Sequence, residues 1–134
     1  MRINHIVTCL ALLVSASYAH AELAVIVNPK NPVVKMSADD AAQYFLGKSK
    51  VLTPADYTDG VAPRADFYSK VLQKEPSQVK AIWTKLLFTV KGVAPREYAS
   101  AADMKKVVAA NVNAIGYIDK AAADDSVKIV FTLP

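Results

Sequence analysis

Apolar residues change their spacing several times along this chain, and each change marks an element. Leu23-Ala24-Val25-Ile26-Val27 is a nearly continuous, β-branched apolar run that ends at Asn28-Pro29. That length and composition predict a short buried strand rather than a helix. Asn31-Pro32 then keeps the backbone extended or turning. From Ser37 the period lengthens. Ala38, Ala41, Ala42 and Phe45 fall at i, i+3, i+4 and i+7, which is one apolar face of a helix. Ser37 is a good N-cap, and Asp39 and Asp40 suit the positive end of the helix dipole. Gly47 is placed to close the helix in a left-handed conformation.

The following stretch is less periodic. Lys48 to Leu52 can hold a short strand, and Pro54 to Pro63 reads as a loop with an Asp59-Gly60 turn. Pro63 suits the first position of a second helix, with Phe67, Val71 and Leu72 on its buried side. Glu75-Pro76-Ser77 opens a third. In it Val79, Ile82, Trp83 and Leu86 repeat the helical spacing, so Trp83 is expected in the heart of the core rather than as a platform for a ligand. Thr89 to Glu97, with Gly92 and Pro95, reads as a loop that carries Lys91 and Arg96. Ser100 and Asp103 resemble a capping box for a fourth helix, whose inward face is Met104, Val107 and Val108 and whose exit is Asn111. Ala114 to Ile118 is a strand in which Gly116 permits close approach of another backbone. After a polar connection at Lys120 to Asp125, Val127, Ile129 and Phe131 alternate with Lys128, Val130 and Thr132. This predicts a last strand with one better-buried face. Strands separated by helices imply an α/β domain with a mixed sheet flanked by helices. The chain shows neither an internal repeat nor a low-complexity linker.

The first residues follow a different logic. Arg2 is a short positive start, Ile6 to Val14 is apolar, and small residues lead to Ala19-His20-Ala21. This is the layout of a secretory signal with an A-x-A exit. The apolar run is shorter than the ~20 residues that a spanning helix needs. Cleavage after Ala21 is expected, leaving residues 22–134 as one periplasmic domain without a membrane span. Cys9 comes too early in the apolar run, with Thr8 before it, to be a lipidation site.

Cleavage would also narrow the chemistry. Cys9, His5 and His20 are the only cysteine and histidines, so residues 22–134 contain neither type. That excludes thiolate nucleophiles, Cys or His metal ligands and Ser-His pairs within them. The acidic residues lie mostly at caps and turns rather than in facing pairs. No enzyme and no cofactor is therefore expected. The net charge of +4 falls by one with Arg2. The lysines are single or paired, without the clustered stripe and stacking aromatics of a nucleic-acid binder.

Four stretches in one order carry a resemblance. Asn28-Pro29 is followed by a helix from Ser37 that ends in Phe45-Leu46-Gly47-Lys48. Then come Asp56 to Tyr68, Phe88-Thr89-Val90-Lys91-Gly92, and Ala114-Ile115-Gly116-Tyr117-Ile118. Together they resemble the phosphate-binding proteins of bacterial ABC importers. The match implies a single lobe of a type 2 periplasmic-binding-protein fold, whereas full members are longer and close two lobes over the ligand. It implies phosphate or another small oxyanion as ligand, held around Thr58, Asp59, Gly60 and Arg64. The motif departs from the family, however. Where the family uses Arg, Ser, Gly and Thr, this chain has Tyr57, Val61, Ala62 and Pro63. A buried oxyanion needs charge-assisted donors, and here the start of the Pro63 helix with Arg64 would have to supply them. The resemblance thus leaves two readings, a weak solute binder and an envelope interaction module that has lost its ligand. The module would pair with another envelope protein or with a second copy of the chain.

Overall fold

The computed structural model describes residues 22–89 and 94–134. The signal-like stretch before Glu22 and part of the Lys91 loop lie outside the described residues. The fold alternates strands and helices: β1 (Leu23–Val27), α1 (Ala38–Phe45), β2 (Thr53–Tyr57), α2 (Ala62–Phe67), α3 (Pro76–Thr89), β3 (Arg96–Tyr98), α4 (Ala101–Ala110), β4 (Ala114–Asp119) and β5 (Lys128–Leu133). Helix α2 runs on into a π-helical turn at Tyr68–Leu72. The five strands form one sheet in the order β3-β2-β4-β1-β5. β2 is parallel to both its neighbours, while β1 is antiparallel to β4 and β5, so the sheet is mixed.

Helices cover both faces of the sheet, and β4 shows how. Tyr117 packs against Phe45 of α1 and Phe67 of α2 on one face. Gly116, its neighbour, points to the other face, where a Cβ would stand 2.6 Å from Met104 Sδ and 3.2 Å from Val108 Cγ2 of α4. Glycine lets α4 press onto the strand at this point. Burial from both sides explains why β1 is apolar at every position.

Ser37 caps α1 as expected, whereas Ser100 caps α4 with only half of the expected box, the return bond from Asp103 being absent among the described residues. Ser37 and Asp40 complete a reciprocal capping box, and Ser100 accepts from the Asp103 amide at 3.2 Å. Gly47 closes α1 at φ +72, and Leu86 of α3 occupies the space a side chain there would need.

Five expectations are corrected. The stretch Pro54 to Pro63 is not all loop, because Thr53–Tyr57 forms β2, and the strand expected over Lys48 to Leu52 begins only at Thr53. Pro54 is tolerated because pairing with β3 begins one residue later, at Ala55. Arg96–Tyr98, at the end of the expected loop, is edge strand β3. Of the α3 residues expected in the core, Val79 is the one that is buried; Ile82, Trp83 and Leu86 are half-buried. The helix lies at the margin of the sheet, with Trp83 and Leu86 against Gly47 at the end of α1. Finally, β5 does not keep a simple alternation. Val25 faces Phe131 while Ile26 faces Ile129, so Val130 is an extra, bulged residue. Val130 is buried and its carbonyl accepts from the Met36 amide at 3.0 Å, while Ile129 and Phe131 are half-buried.

Candidate functional site

The end of β2 feeds the loop singled out by the sequence. Thr58 continues the parallel pairing, its amide donating to the Tyr98 carbonyl at 3.1 Å. Asp59 and Gly60 make the turn, with Gly60 at φ +84, a left-handed conformation that glycine adopts without strain. Val61 then leads into α2, with Pro63 in its first turn. The four candidate residues do not converge as a cradle. Gly60 faces open space, the Asp59 side chain is 91% exposed, and Thr58 is half-buried.

Arg64 is the exception. Its side chain is only 13% exposed. Its guanidinium donates to the Tyr57 carbonyl, lies 4.9 Å over the Tyr68 ring, and sits 3.3 Å from carboxylate oxygens of both Asp59 and Glu97. Its Nε is buried with no partner among the described residues. Burial by itself would lower the Arg64 pKa, but Tyr68, Asp56, Glu97 and Asp59 outweigh it and raise the value. Arg64 therefore stays charged, and its charge is already faced by two carboxylates.

Beside this loop lies a groove of about 500 Å³ between the β2 end and α3. Arg64, Asp59, Glu97, Lys80 and Trp83 line it, with Asp56 and Tyr68 at its floor. Its ionisable residues comprise three carboxylates and two cations besides Tyr68.

The sequence does not single out Asp56 as a site residue, because its stretch reads as a loop, where an acid is ordinary. It is 5% exposed. Oδ2 accepts from the Tyr68 hydroxyl at 2.6 Å, and Oδ1 accepts from the Tyr117 hydroxyl and from the Tyr57 amide at 2.8 Å. Three donors on a buried carboxylate form a satisfied network. The tyrosines pay in ionisation: burial first, then the Asp56 charge, pushes the Tyr117 and Tyr68 pKa values well above 10.0. Tyr57 rises too, through burial and then Asp119 and Asp56. Among the described residues no group of His, Cys, Asp or Glu is placed to hold a metal, and no helix is long and apolar enough to cross a membrane.

The fold is that of one lobe of a phosphate-transport binding protein. The solved structures similar to this chain include an ABC-type phosphate transport receptor from Vibrio cholerae (20% identity, TM-score 0.64) and PstS from Borrelia burgdorferi (12%, 0.61). A third is a putative phosphate ABC transporter substrate-binding protein with bound phosphate from Clostridium perfringens (22%, 0.66). Each likeness covers 82% of this chain and 46%, 47% and 45% of the respective structure, so the chain spans about half the length of the proteins it matches. At these identities the likeness establishes the fold, an α/β lobe with a mixed sheet flanked by helices. No family model and no curated protein matches the chain.

Proposed function

We propose that this protein is an exported, non-enzymatic solute-binding-like protein of the periplasm, and that Arg64 takes a small oxyanion such as phosphate weakly at the mouth of the α3 groove. The observation that carries this reading is the state of Arg64. The side chain is anchored on the Tyr57 carbonyl and largely buried, yet the carboxylate opposite it, Asp59, is almost fully exposed. Such a half-exposed ion pair is worth at most about 1 kcal/mol. A phosphate could displace Asp59 at little cost, and it would gain little beyond the exchange of one anion for another. Binding near the millimolar range, about 4 kcal/mol, is the expected scale. The lobe fold shared with phosphate-transport proteins and the signal-like start support the same reading. The absence of Cys and His from residues 22–134 and the satisfied state of Asp56 support a non-enzymatic role.

Calorimetry with phosphate at low ionic strength, on the parent and on Asp59→Asn, tests the site. Removing the competing carboxylate should tighten binding about three- to tenfold. Equal affinities, or no binding by either protein, would refute it. The second reading is an interaction module of the cell envelope that has lost its ligand. Two features favour it: carboxylates outnumber cations along the groove, and Tyr57, Val61, Ala62 and Pro63 stand where the resembling family has polar or flexible residues.

A further inference from the structure

The sheet ends in two outer strands, β5 and β3. The middle of β5 is already covered, because the carbonyl of its bulged Val130 accepts from the Met36 amide. β3 differs. Its Tyr98 carbonyl accepts from the Thr58 amide at 3.1 Å, so Tyr98 turns its backbone polar groups toward β2. Successive residues of a parallel ladder turn these groups to opposite sides. Arg96 therefore also faces β2, and Glu97 directs its N–H and C=O outward. Neither of these two groups has a backbone partner among the described residues.

A groove flanks β3 on each face. Glu97 lines the one toward α3, while Arg96 and Tyr98 line a second, of about 560 Å³, toward the end of α4. Ala94 and Pro95 border both, so the grooves adjoin at the start of the strand. The wall of the α4-side groove is mainly apolar, with Pro54, Ala55, Val107 and Val112. The α3-side groove presents the Glu97 carboxylate, 50% exposed, and holds one more carboxylate than cations.

We propose that β3 receives an added strand, an extended segment of a partner protein with apolar residues at alternate positions and a lysine or arginine between them. Successive side chains of a strand point to opposite faces. The apolar ones enter the α4-side groove, and the cation meets Glu97 on the α3 side. The backbone of the segment completes the two bonds that Glu97 leaves open, and the grooves supply selectivity. Charge selects the cation. Arg64 is shared between Asp59 and Glu97, so a further positive group at this edge has an under-matched carboxylate to pair with. A second copy of the chain fits less well. Antiparallel pairing centred on Glu97 or on Arg96 sets each against its own copy, and like charges directly opposite are destabilising. Pairing centred on Arg96 also brings Pro95, which has no N–H, against Glu97. Pairing centred on Tyr98 runs past the strand, because the chain bends at Ala99 and Ser100. The inference holds with or without a solute at Arg64.

Nuclear magnetic resonance tests it on the exported protein, with the end-capped peptide Thr-Ile-Lys-Ile-Thr as the probe. Binding should shift the Glu97 amide resonance and slow its hydrogen exchange. N-methylation of the peptide at its lysine removes one backbone donor and should weaken binding about fivefold. Serine in place of both isoleucines should weaken it at least tenfold, and glutamate in place of the lysine about fivefold. In the protein, Glu97→Pro removes the outward N–H and leaves the β2 ladder intact, since proline is tolerated on a free strand edge. It should bind the peptide more weakly than Glu97→Gln, which keeps the N–H. Melting temperatures verify that both variants fold, and the N-methylated peptide tests the same edge on the unaltered protein. No binding of the parent peptide, equal binding of its N-methylated form, or shifts confined to residues away from β3 would overturn the inference. So would dimers in sedimentation velocity that Glu97→Pro abolishes, which would assign the edge to a second copy.

Discussion

The ring of Tyr117 lies flat on that of Phe67, with centroids 3.8 Å apart and planes 7° from parallel. The same tyrosine donates its hydroxyl to Asp56. One side chain thus joins the aromatic cluster under α1 and α2 to the buried carboxylate at the end of β2. Tyr117→Phe keeps the stack and removes only the hydroxyl. A hydrogen bond to a charged group contributes about 1.5–3 kcal/mol, so urea unfolding should report a loss in that range. A change inside the ±0.5 kcal/mol typical of surface substitutions would mean that Asp56 finds a replacement donor without cost.

Trp83 sits at an edge rather than at the centre. It is half-buried, and its Nε1 donates to the Phe45 carbonyl at 2.9 Å, near the end of α1. Trp83→Ala should cost about 1.5–3 kcal/mol, the scale of partial apolar burial plus one hydrogen bond. Phe45→Ala should cost about 3–5, because Phe45 is 1% exposed and contacts both Phe67 and Tyr117. Parallel melts of the two variants check the ranking; a larger loss at Trp83 would contradict the marginal position of α3.

Stability should fall on the alkaline side. Tyr57, Tyr68 and Tyr117 all have folded-state pKa values raised above 10.0. A raised folded pKa contributes stability that is fully present below the unfolded pKa and is lost as pH rises through the folded one. The melting temperature should therefore be flat with respect to these groups up to about pH 9 and decline above pH 10. Tyrosinate absorbance should appear together with unfolding. Early titration of all five tyrosines of residues 22–134 without unfolding would contradict the burial of this cluster.

The exported form should begin at Glu22. The order of Arg2, the apolar run and Ala19-His20-Ala21 underlies that expectation. N-terminal sequencing of the protein recovered from the cell envelope decides it, and a start upstream of Ser15 or a lipid on Cys9 would refute it.

Local signals were legible in the sequence because their physics is local. The continuous apolar run of β1, the N-caps at Ser37 and Ser100 and the exit at Gly47 each depend on a few adjacent residues and act as expected, while at Gly116 the close neighbours are side chains of α4 rather than another backbone. The α/β class is also as expected, since it follows from the alternation of periods. The tertiary structure decided what depends on distant partners. β2 and β3 are short and weakly patterned, and they become strands only because each supplies hydrogen bonds to the other and β2 to β4. Trp83 has core spacing, but α3 has just the margin of the sheet to pack on, so the same periodicity yields a half-buried face. The Arg64 site could not be read from the order of residues, since Glu97 arrives from another strand. The burial of Asp56 was not legible in the sequence, because the hydroxyls that permit it come from residues 12 and 61 positions away. A buried carboxylate is stable only with its donors, and bringing those donors together is the work of the fold.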